Sequence, residues 1–369
     1  MLYYLLEYIN RIWSPPGFDI FRFITFRAAA AAITALLVNW VLGPKIIRLL
    51  KRRQIGESAK LEAPKSHLAK AGTPTMGGLI VVNSILIPTL LWGEILNTYV
   101  WLIIVSTAAL GCVGFLDDYL KVVKKRRKGL IGEYKIIGQV IVGLLVGGVL
   151  AFAPHFAGYS TVTTVPFFKN LTLDFSYLYI PMVVLVVTAM SNAVNLTDGL
   201  DGLAIGTTAI AFIALAIICY VSGNSVYAKY LNILFLPGSG ELTVFSAAVV
   251  GAGLGFLWFN AYPAQIFMGD TGSLALGGSL GIIMIMVKKE LLLPVLGGIF
   301  IAETCSVLIQ KIYFKYTKRK YGQGRRVFRM APIHHHFELM DWPEPKIVTR
   351  FYIIAIILAI VSLATFKVR

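Results

Sequence analysis

Of the 369 residues in this chain, 57% are hydrophobic and only 14% charged, whereas a soluble protein of this size carries about a quarter charged residues. That balance excludes a soluble globular enzyme and points to a polytopic membrane protein. The net charge of +16 does not call for nucleic acid as a partner, because the Lys and Arg residues gather in a few loops, a pattern that fits membrane orientation and anionic substrates. Cys112, Cys219 and Cys305 fall far apart inside apolar runs and read as small packing residues, not as a disulfide or metal framework.

Met1 to Trp13 is apolar but carries Glu7 and Arg11, which reads as an interfacial segment, with no cleavable signal evident. Apolar runs of about 17–25 residues then predict about ten spanning helices. They fall near 23–49, 76–94, 98–119, 136–154, 178–195, 203–221, 242–260, 272–287, 291–314 and 348–366. The expected fold is an all-α polytopic integral membrane protein forming one catalytic domain over 1–369. Its weakest boundary is Val287-Lys288-Lys289-Glu290-Leu291, a very short polar hinge between two runs. Thr161 to Tyr179 alternates β-branched and aromatic residues around Lys169-Asn170, which predicts a short hairpin. Asn170-Leu171-Thr172 has the form of a glycosylation acceptor, a weak pattern by itself. Gly251 with Gly255, and Gly277 with Gly281, match the small-xxx-small spacing of closely packed helices, and no Walker pattern surrounds them.

Orientation follows from the basic residues between spans. Lys51, Arg52, Arg53, Lys60, Lys65 and Lys70 follow the first span; Lys121, Lys124, Lys125, Arg126, Arg127, Lys128 and Lys135 follow the third. Lys318, Arg319, Lys320, Arg325, Arg326, Arg329 and Lys346 follow the ninth, and the intervening loops carry far fewer. With ten spans, this alternation puts both termini outside and the loops after odd-numbered spans in the cytoplasm. Every polar stretch with chemical potential then falls on the cytoplasmic face.

The foremost of these runs Ser191-Asn192-Ala193-Val194-Asn195-Leu196-Thr197-Asp198-Gly199-Leu200-Asp201-Gly202, between two apolar runs. Asn192, Asn195 and Asp198 recur every three residues and line one face of a helix end, while Gly199 and Gly202 let the chain turn. A helix exit with an Asp N-cap would explain one Asp and one Gly, leaving the other polar residues unexplained. Asp117 and Asp118 end the third span, where adjacent carboxylates repel unless a cation joins them; oxygen ligands beside phosphates suit Mg²⁺. The bland alternative is a solvated helix end neutralised by Lys121, Lys124 and Lys125.

Asp270, in Phe267-Met268-Gly269-Asp270-Thr271-Gly272-Ser273, reads as an N-cap or as a third carboxylate beside a helix N-terminus suited to phosphate. Asn260 stands at the far end of that loop. His334-His335-His336 is a surface loop or a clamp for phosphate or sugar, and consecutive side chains point in different directions, so three seldom ligate one ion. Lys70 and Thr75 belong to a Gly-rich approach to the second span that could cradle an anion, or to a basic loop obeying the orientation rule. Acids and bases at one membrane face suit the joining of two anionic phosphates, with a divalent cation, Lys and His cancelling their repulsion.

Together Asp117-Asp118, Asn195-Leu196-Thr197-Asp198-Gly199-Leu200-Asp201-Gly202, Phe267-Met268-Gly269-Asp270 and Pro332-Ile333-His334-His335-His336 resemble the polyprenyl-phosphate N-acetylhexosamine-1-phosphate transferases. Pro74-Thr75-Met76-Gly77-Gly78 and the uninterrupted histidines are similar to the branch that moves phospho-N-acetylmuramoyl-pentapeptide from its UDP carrier to undecaprenyl phosphate. The resemblance covers nearly the whole chain. It implies UDP-N-acetylmuramoyl-pentapeptide and undecaprenyl phosphate as substrates, release of UMP, a Mg²⁺ requirement and a homodimer. It also implies the bacterial inner membrane, with both termini periplasmic and the active site at the cytoplasmic face.

By that resemblance Asp270 coordinates Mg²⁺ with Asp117 and Asp118 close by, Asp117 is the base acting on the lipid phosphate, and His334 joins them as a catalytic residue. Asp198, Gly199, Leu200, Asp201, Asn260, Phe267 and Gln310 form the nucleoside region, with Phe267 offering a stacking face for uracil. Lys70, Thr75, Lys121, Lys135, Asn195, His335 and His336 surround phosphates and sugar. Two rivals stand beside this reading. A sister enzyme using UDP-N-acetylglucosamine would differ in the 331–338 segment, and an ion-coupled transporter would place its acids near the bilayer midplane between inverted repeats.

Overall fold

The computed structural model describes residues 1–53, 70, 72–126, 129–156, 158–168 and 171–367. Within them the chain is overwhelmingly helical. Helix α1 (Leu2–Trp13) lies ahead of α2 (Ile24–Arg52), α3 (Gly78–Trp92), α4 (Thr98–Asp118), α5 (Gly132–Phe152) and α6 (Tyr179–Thr197). Then come α7 (Leu203–Ser222), α8 (Ser225–Leu231), α9 (Leu242–Asn260), α10 (Gly269–Met286), α11 (Leu293–Leu296), α12 (Gly298–Tyr321), α13 (Ile333–Glu338) and α14 (Glu344–Ala364).

Among the described residues eight helices are long and apolar enough to cross a membrane, and the pair Glu290–Leu296 and Gly298–Tyr321, bent by 82°, meets the same measure of length and apolarity only when taken together. Each of the ten predicted runs therefore corresponds to a helix, with two qualifications. Helix α3 has only 15 residues, short of the roughly 20 that span a bilayer core. The ninth run is not straight, because Pro294 lies in the first turn of α11 and Gly297 separates it from α12, which itself begins at Gly298; proline and paired glycines are recognised causes of a sharp kink.

Helix α10 is the most deeply buried span, and it packs against α4 and α6, while α9 packs against α2 and α7. Small residues make these approaches possible. A Cβ on Gly251 would stand 2.0 Å from the Ala32 carbonyl oxygen, and one on Gly277 would stand 2.3 Å from that of Met190. The predicted packing role of these glycines holds. Cys219 is buried, whereas Cys112 and Cys305 lie on the surface of the bundle, and all three are unpaired.

One end of the bundle carries structural polar groups. Strands β1 (Val162–Thr164) and β2 (Thr172–Asp174) pair antiparallel, Val162 opposite Asp174 and Thr164 opposite Thr172, forming the expected hairpin; its tip residues Lys169 and Asn170 lie outside the described residues, as do Lys60, Lys65, Arg127 and Lys128. Lys288 pins this hairpin, its ammonium donating to the Ser160 carbonyl and to Tyr179 Oη, each at 2.7 Å. Arg27 and Glu241 form a buried bidentate pair that also accepts the Glu94 N–H.

Candidate active site

The opposite end of the bundle gathers the C-termini of α4 and α6 and the N-termini of α10 and α14. Close packing of α4 on α10 is set by Gly114, where a Cβ would meet the Asp270 carbonyl oxygen at 2.2 Å. One turn later in α4, the adjacent carboxylates of Asp117 and Asp118 have quite different partners.

Asp118 accepts from the N–H groups of Asp270 (3.0 Å) and Thr271 (2.9 Å) and from the Thr271 hydroxyl (2.6 Å). It caps α10 from a neighbouring helix, satisfying donors that have no partner within their own helix. The N-cap expected of Asp270 or Thr271 is therefore supplied by Asp118. Asp270 is left to face the site.

Asp117 accepts the Leu130 N–H at 2.7 Å through Oδ1, and its Oδ2 lies 2.6 Å from Lys121 Nζ and 3.4 Å from Lys135 Nζ. The same two ammonium groups reach Asp270 Oδ2, at 3.0 Å from Lys121 and 2.6 Å from Lys135. Asn195, from the end of α6, donates to Asp270 Oδ1 at 2.7 Å and to Ser273 Oγ at 2.8 Å. Four elements thus meet at two carboxylates with paired lysines between them. Among the described residues no group of three or more His, Cys, Asp or Glu converges as a ready metal cage. Asp117 and Asp270 do offer the all-oxygen donors that suit Mg²⁺, in a gap the lysine ammonium groups now bridge.

A second cluster adjoins the first. Lys70 Nζ lies 2.6 Å from Asp201 Oδ1 and 2.7 Å from Glu344 Oε1, and Glu344 Oε1 also accepts the Asp201 N–H at 2.6 Å. Burial works against the Lys70 charge, but the bonds to Asp201 and Glu344 outweigh it and hold the ammonium above the ordinary lysine range. Asp201 Oδ2 accepts the Ala264 N–H, while Asn260 accepts from Gly202 N–H and donates to the Ile266 carbonyl. Leu200 is buried beneath this turn, and Asp198 follows directly on α6.

The segment with Thr75 runs beside Phe267, whose N–H donates to Pro74 O and whose carbonyl accepts from Gly77 N–H, both at 2.8 Å. The Phe267 ring is partly exposed, with the Lys70 ammonium 6.0 Å from its centre.

The three histidines have separate polar partners, although the rings of His334 and His335 touch, with centres 4.2 Å apart. His334 is fully buried, its Nδ1 3.1 Å from Glu303 Oε2. His335 Nδ1 lies 2.6 Å from Glu338 Oε2, and His336 Nδ1 accepts the Arg329 N–H at 3.1 Å. Gln310 is committed to the adjacent loop, accepting from the N–H groups of Val327 and Phe328 and donating to the Phe328 carbonyl. Its amide is a clamp on that loop in this conformation. Sequence reasoning missed Glu303 and Glu344. A lone acid in the apolar run Phe300-Ile301-Ala302-Glu303 was signal enough, as was the acid of Trp342-Pro343-Glu344 at a helix start.

These acids and lysines meet at the end of a bundle of apolar helices beside the partly exposed Phe267, and residues 100–288 match the family model described as Glycosyl transferase family 4, which makes the chain a membrane transferase. Residues 70–82, which include Lys70 and Thr75, match phospho-N-acetylmuramoyl-pentapeptide-transferase signature 1. Proteins named phospho-N-acetylmuramoyl-pentapeptide-transferase from Chloroherpeton thalassium and Chlorobium chlorochromatii are each 54% identical over 369 residues, and that from Salinibacter ruber is 53% identical over 385, with both chains fully covered in every case. The chain belongs to the phospho-N-acetylmuramoyl-pentapeptide-transferase family.

Proposed function

We propose that this protein transfers phospho-N-acetylmuramoyl-pentapeptide from UDP-N-acetylmuramoyl-pentapeptide to undecaprenyl phosphate, releasing UMP and forming the first lipid-linked intermediate of peptidoglycan synthesis. The observation that carries the mechanism is the sharing of Lys121 and Lys135 by Asp117 and Asp270 at a membrane-helix end. Two phosphate-bearing substrates need fixed positive charge to approach each other, and two lysines supply it beside carboxylates that can hold a cation or take a proton. Asp117 is the base facing the lipid phosphate. Asn195 orients the Asp270 carboxylate.

Asp117 and Asp270 would hold Mg²⁺, with Asp118 fixing the backbone from which Asp270 projects. When bound, the ion supplies neutralising charge to the phosphoryl oxygens. The donor's nucleoside lies against Phe267 within the Asp198–Asp201 turn, next to Lys70. Thr75, His335 and His336 border the sugar and phosphates. The distribution of basic residues favours a cytoplasmic position for this end, with both termini in the periplasm, and the family resemblance supports a bacterial inner-membrane enzyme that works as a homodimer.

The test is UMP release by purified protein in detergent with undecaprenyl phosphate and Mg²⁺, using UDP-N-acetylmuramoyl-pentapeptide and UDP-N-acetylglucosamine in parallel. Turnover with the pentapeptide donor alone supports the assignment. Turnover with only the other donor moves the enzyme to a sister pathway, and turnover with neither removes the transferase reading for the purified chain.

A further inference from the structure

His334 and Glu303 come from elements far apart in sequence and meet where neither can reach water. The exposure of their side chains is 1% and 0%, and His334 Nδ1 stands 3.1 Å from Glu303 Oε2. Their contact is a close approach of charge-bearing atoms and not a well-aligned hydrogen bond: neither ring nitrogen of His334 and neither carboxylate oxygen of Glu303 has a hydrogen-bond partner among the described residues. A buried carboxylate without a partner is strongly disfavoured, so the imidazole is the group that makes Glu303 tolerable at this depth. The other edge of the ring points at the Asp198–Asp201 turn: a Cβ on Gly199 would fall 2.2 Å from His334 Nε2. The ring is thus wedged between an acid of α12 and the backbone of the turn, and Gly199 provides the space it fills.

We propose that Glu303 is a positioning residue. It keeps the proton of His334 on Nδ1 and turns Nε2 toward Gly199, so that the ring fixes the backbone of the turn that receives the nucleotide donor. A carboxylate that orients an imidazole through Nδ1 is a general device for setting which ring nitrogen faces the working side. The role assigned to the turn rests on the donor reading above, whereas the tautomer does not. Glu303 touches no substrate. It acts through His334.

Two measurements on the full-length protein in detergent test this, and they fail separately. In ¹⁵N-histidine spectra, with the His334 signals assigned by their loss in His334→Gln, the wild type should carry a proton on Nδ1. Glu303→Leu should abolish that preference. An Nδ1 without a proton in the wild type, or a tautomer unchanged in Glu303→Leu, overturns the proposal whatever the enzyme does. In UMP-release assays Glu303→Gln should raise KM for the UDP donor by about 10-fold or more while leaving KM for undecaprenyl phosphate unchanged. The Glu303→Gln/His334→Gln double variant should be no worse than His334→Gln alone.

A fall in kcat with both KM values unchanged would mark Glu303 as merely structural and overturn the positioning role, as would effects of the two substitutions that multiply independently. Should Glu303→Gln not fold, Glu303→Asp, which withdraws the carboxylate by one methylene, carries the same expectations. If the wild type releases no UMP from any UDP-sugar, the proposed function falls while the spectroscopic arm still decides the role of Glu303.

Discussion

Asp117 and Asp270, from the end of one helix and the start of another, share two lysines: Lys121 lies 2.6 Å and 3.0 Å from their Oδ2 atoms, and Lys135 lies 3.4 Å and 2.6 Å from them. The arrangement neutralises two carboxylates that would otherwise repel, and it puts ammonium groups on the oxygens a divalent cation would need. Cation and lysine therefore compete. Lys135→Met should tighten Mg²⁺ binding, measured by titration calorimetry, while lowering turnover; an unchanged affinity would place Lys135 outside the gap. Asp270→Asn should cut UMP release by about 100-fold or more with the melting temperature nearly unchanged. Near-normal turnover would remove Asp270 from the chemistry.

The registry of these carboxylates depends on how closely α4 lies on α10. At Gly114 an added Cβ would meet a backbone oxygen, which cannot swing aside as a flexible side chain would. Gly114→Ala should destabilise the protein by about 1–3 kcal/mol. Pushing Asp270 about 1 Å away from Asp117 should also cost about 100-fold in turnover. A melting curve and an activity assay on the same sample check both, and a variant with normal values in each would show that the two helices can part freely.

How far these arrangements were legible in the sequence varied with the interaction. The helices were, because length and apolarity define a span, and the basic loops ordered the helix ends so that Asp117, Asn195 and Asp270 fell at one face, whereas the company of Lys121 and Lys135 followed only from the family resemblance. The division of labour between Asp117 and Asp118 was not. Adjacent residues in a helix point about 100° apart. Which one turns to cap α10 is decided by the position of α10, a tertiary fact. Gln310 is similar: its amide matches the backbone of Val327 and Phe328, and nothing local announces that pairing. The broken ninth span was readable only in part, since Pro294 and Gly297-Gly298 mark a break but not its 82° angle.

Phe267 offers a clean separation of binding from folding. Its backbone is held by Pro74 and Gly77, so removing the ring leaves the strand-like pairing that supports the loop. Phe267→Ala should weaken donor binding by about 1–3 kcal/mol, the range for a base stacked on an aromatic ring, and leave the KM for undecaprenyl phosphate unchanged. An unaltered affinity for the UDP donor would exclude the stacking role. Loss of both affinities together would mean that the ring supports the loop.

At the other end of the bundle Arg27 and Glu241 form a bidentate pair whose side chains are 3% and 6% exposed, and the Arg27 guanidinium also lies 4.4 Å from the centre of the Tyr3 ring. Here the charges belong to the scaffold and not to the chemistry. Removing one partner strands the other in a buried setting, so Arg27→Met alone should cost about 3–5 kcal/mol of stability. Replacing both, in Arg27→Met/Glu241→Leu, should recover most of that loss, because no uncompensated charge remains. Turnover per folded molecule should stay at the wild-type level in each variant, since the pair stands at the end of the bundle opposite Asp117 and Asp270. Thermal melts of the single and double variants, with UMP release measured well below the melting temperature, provide the check. A double variant as unstable as the single one would mean that the pair contributes specific bonding beyond mutual neutralisation, with the Glu94 N–H that Glu241 accepts as the first place to look.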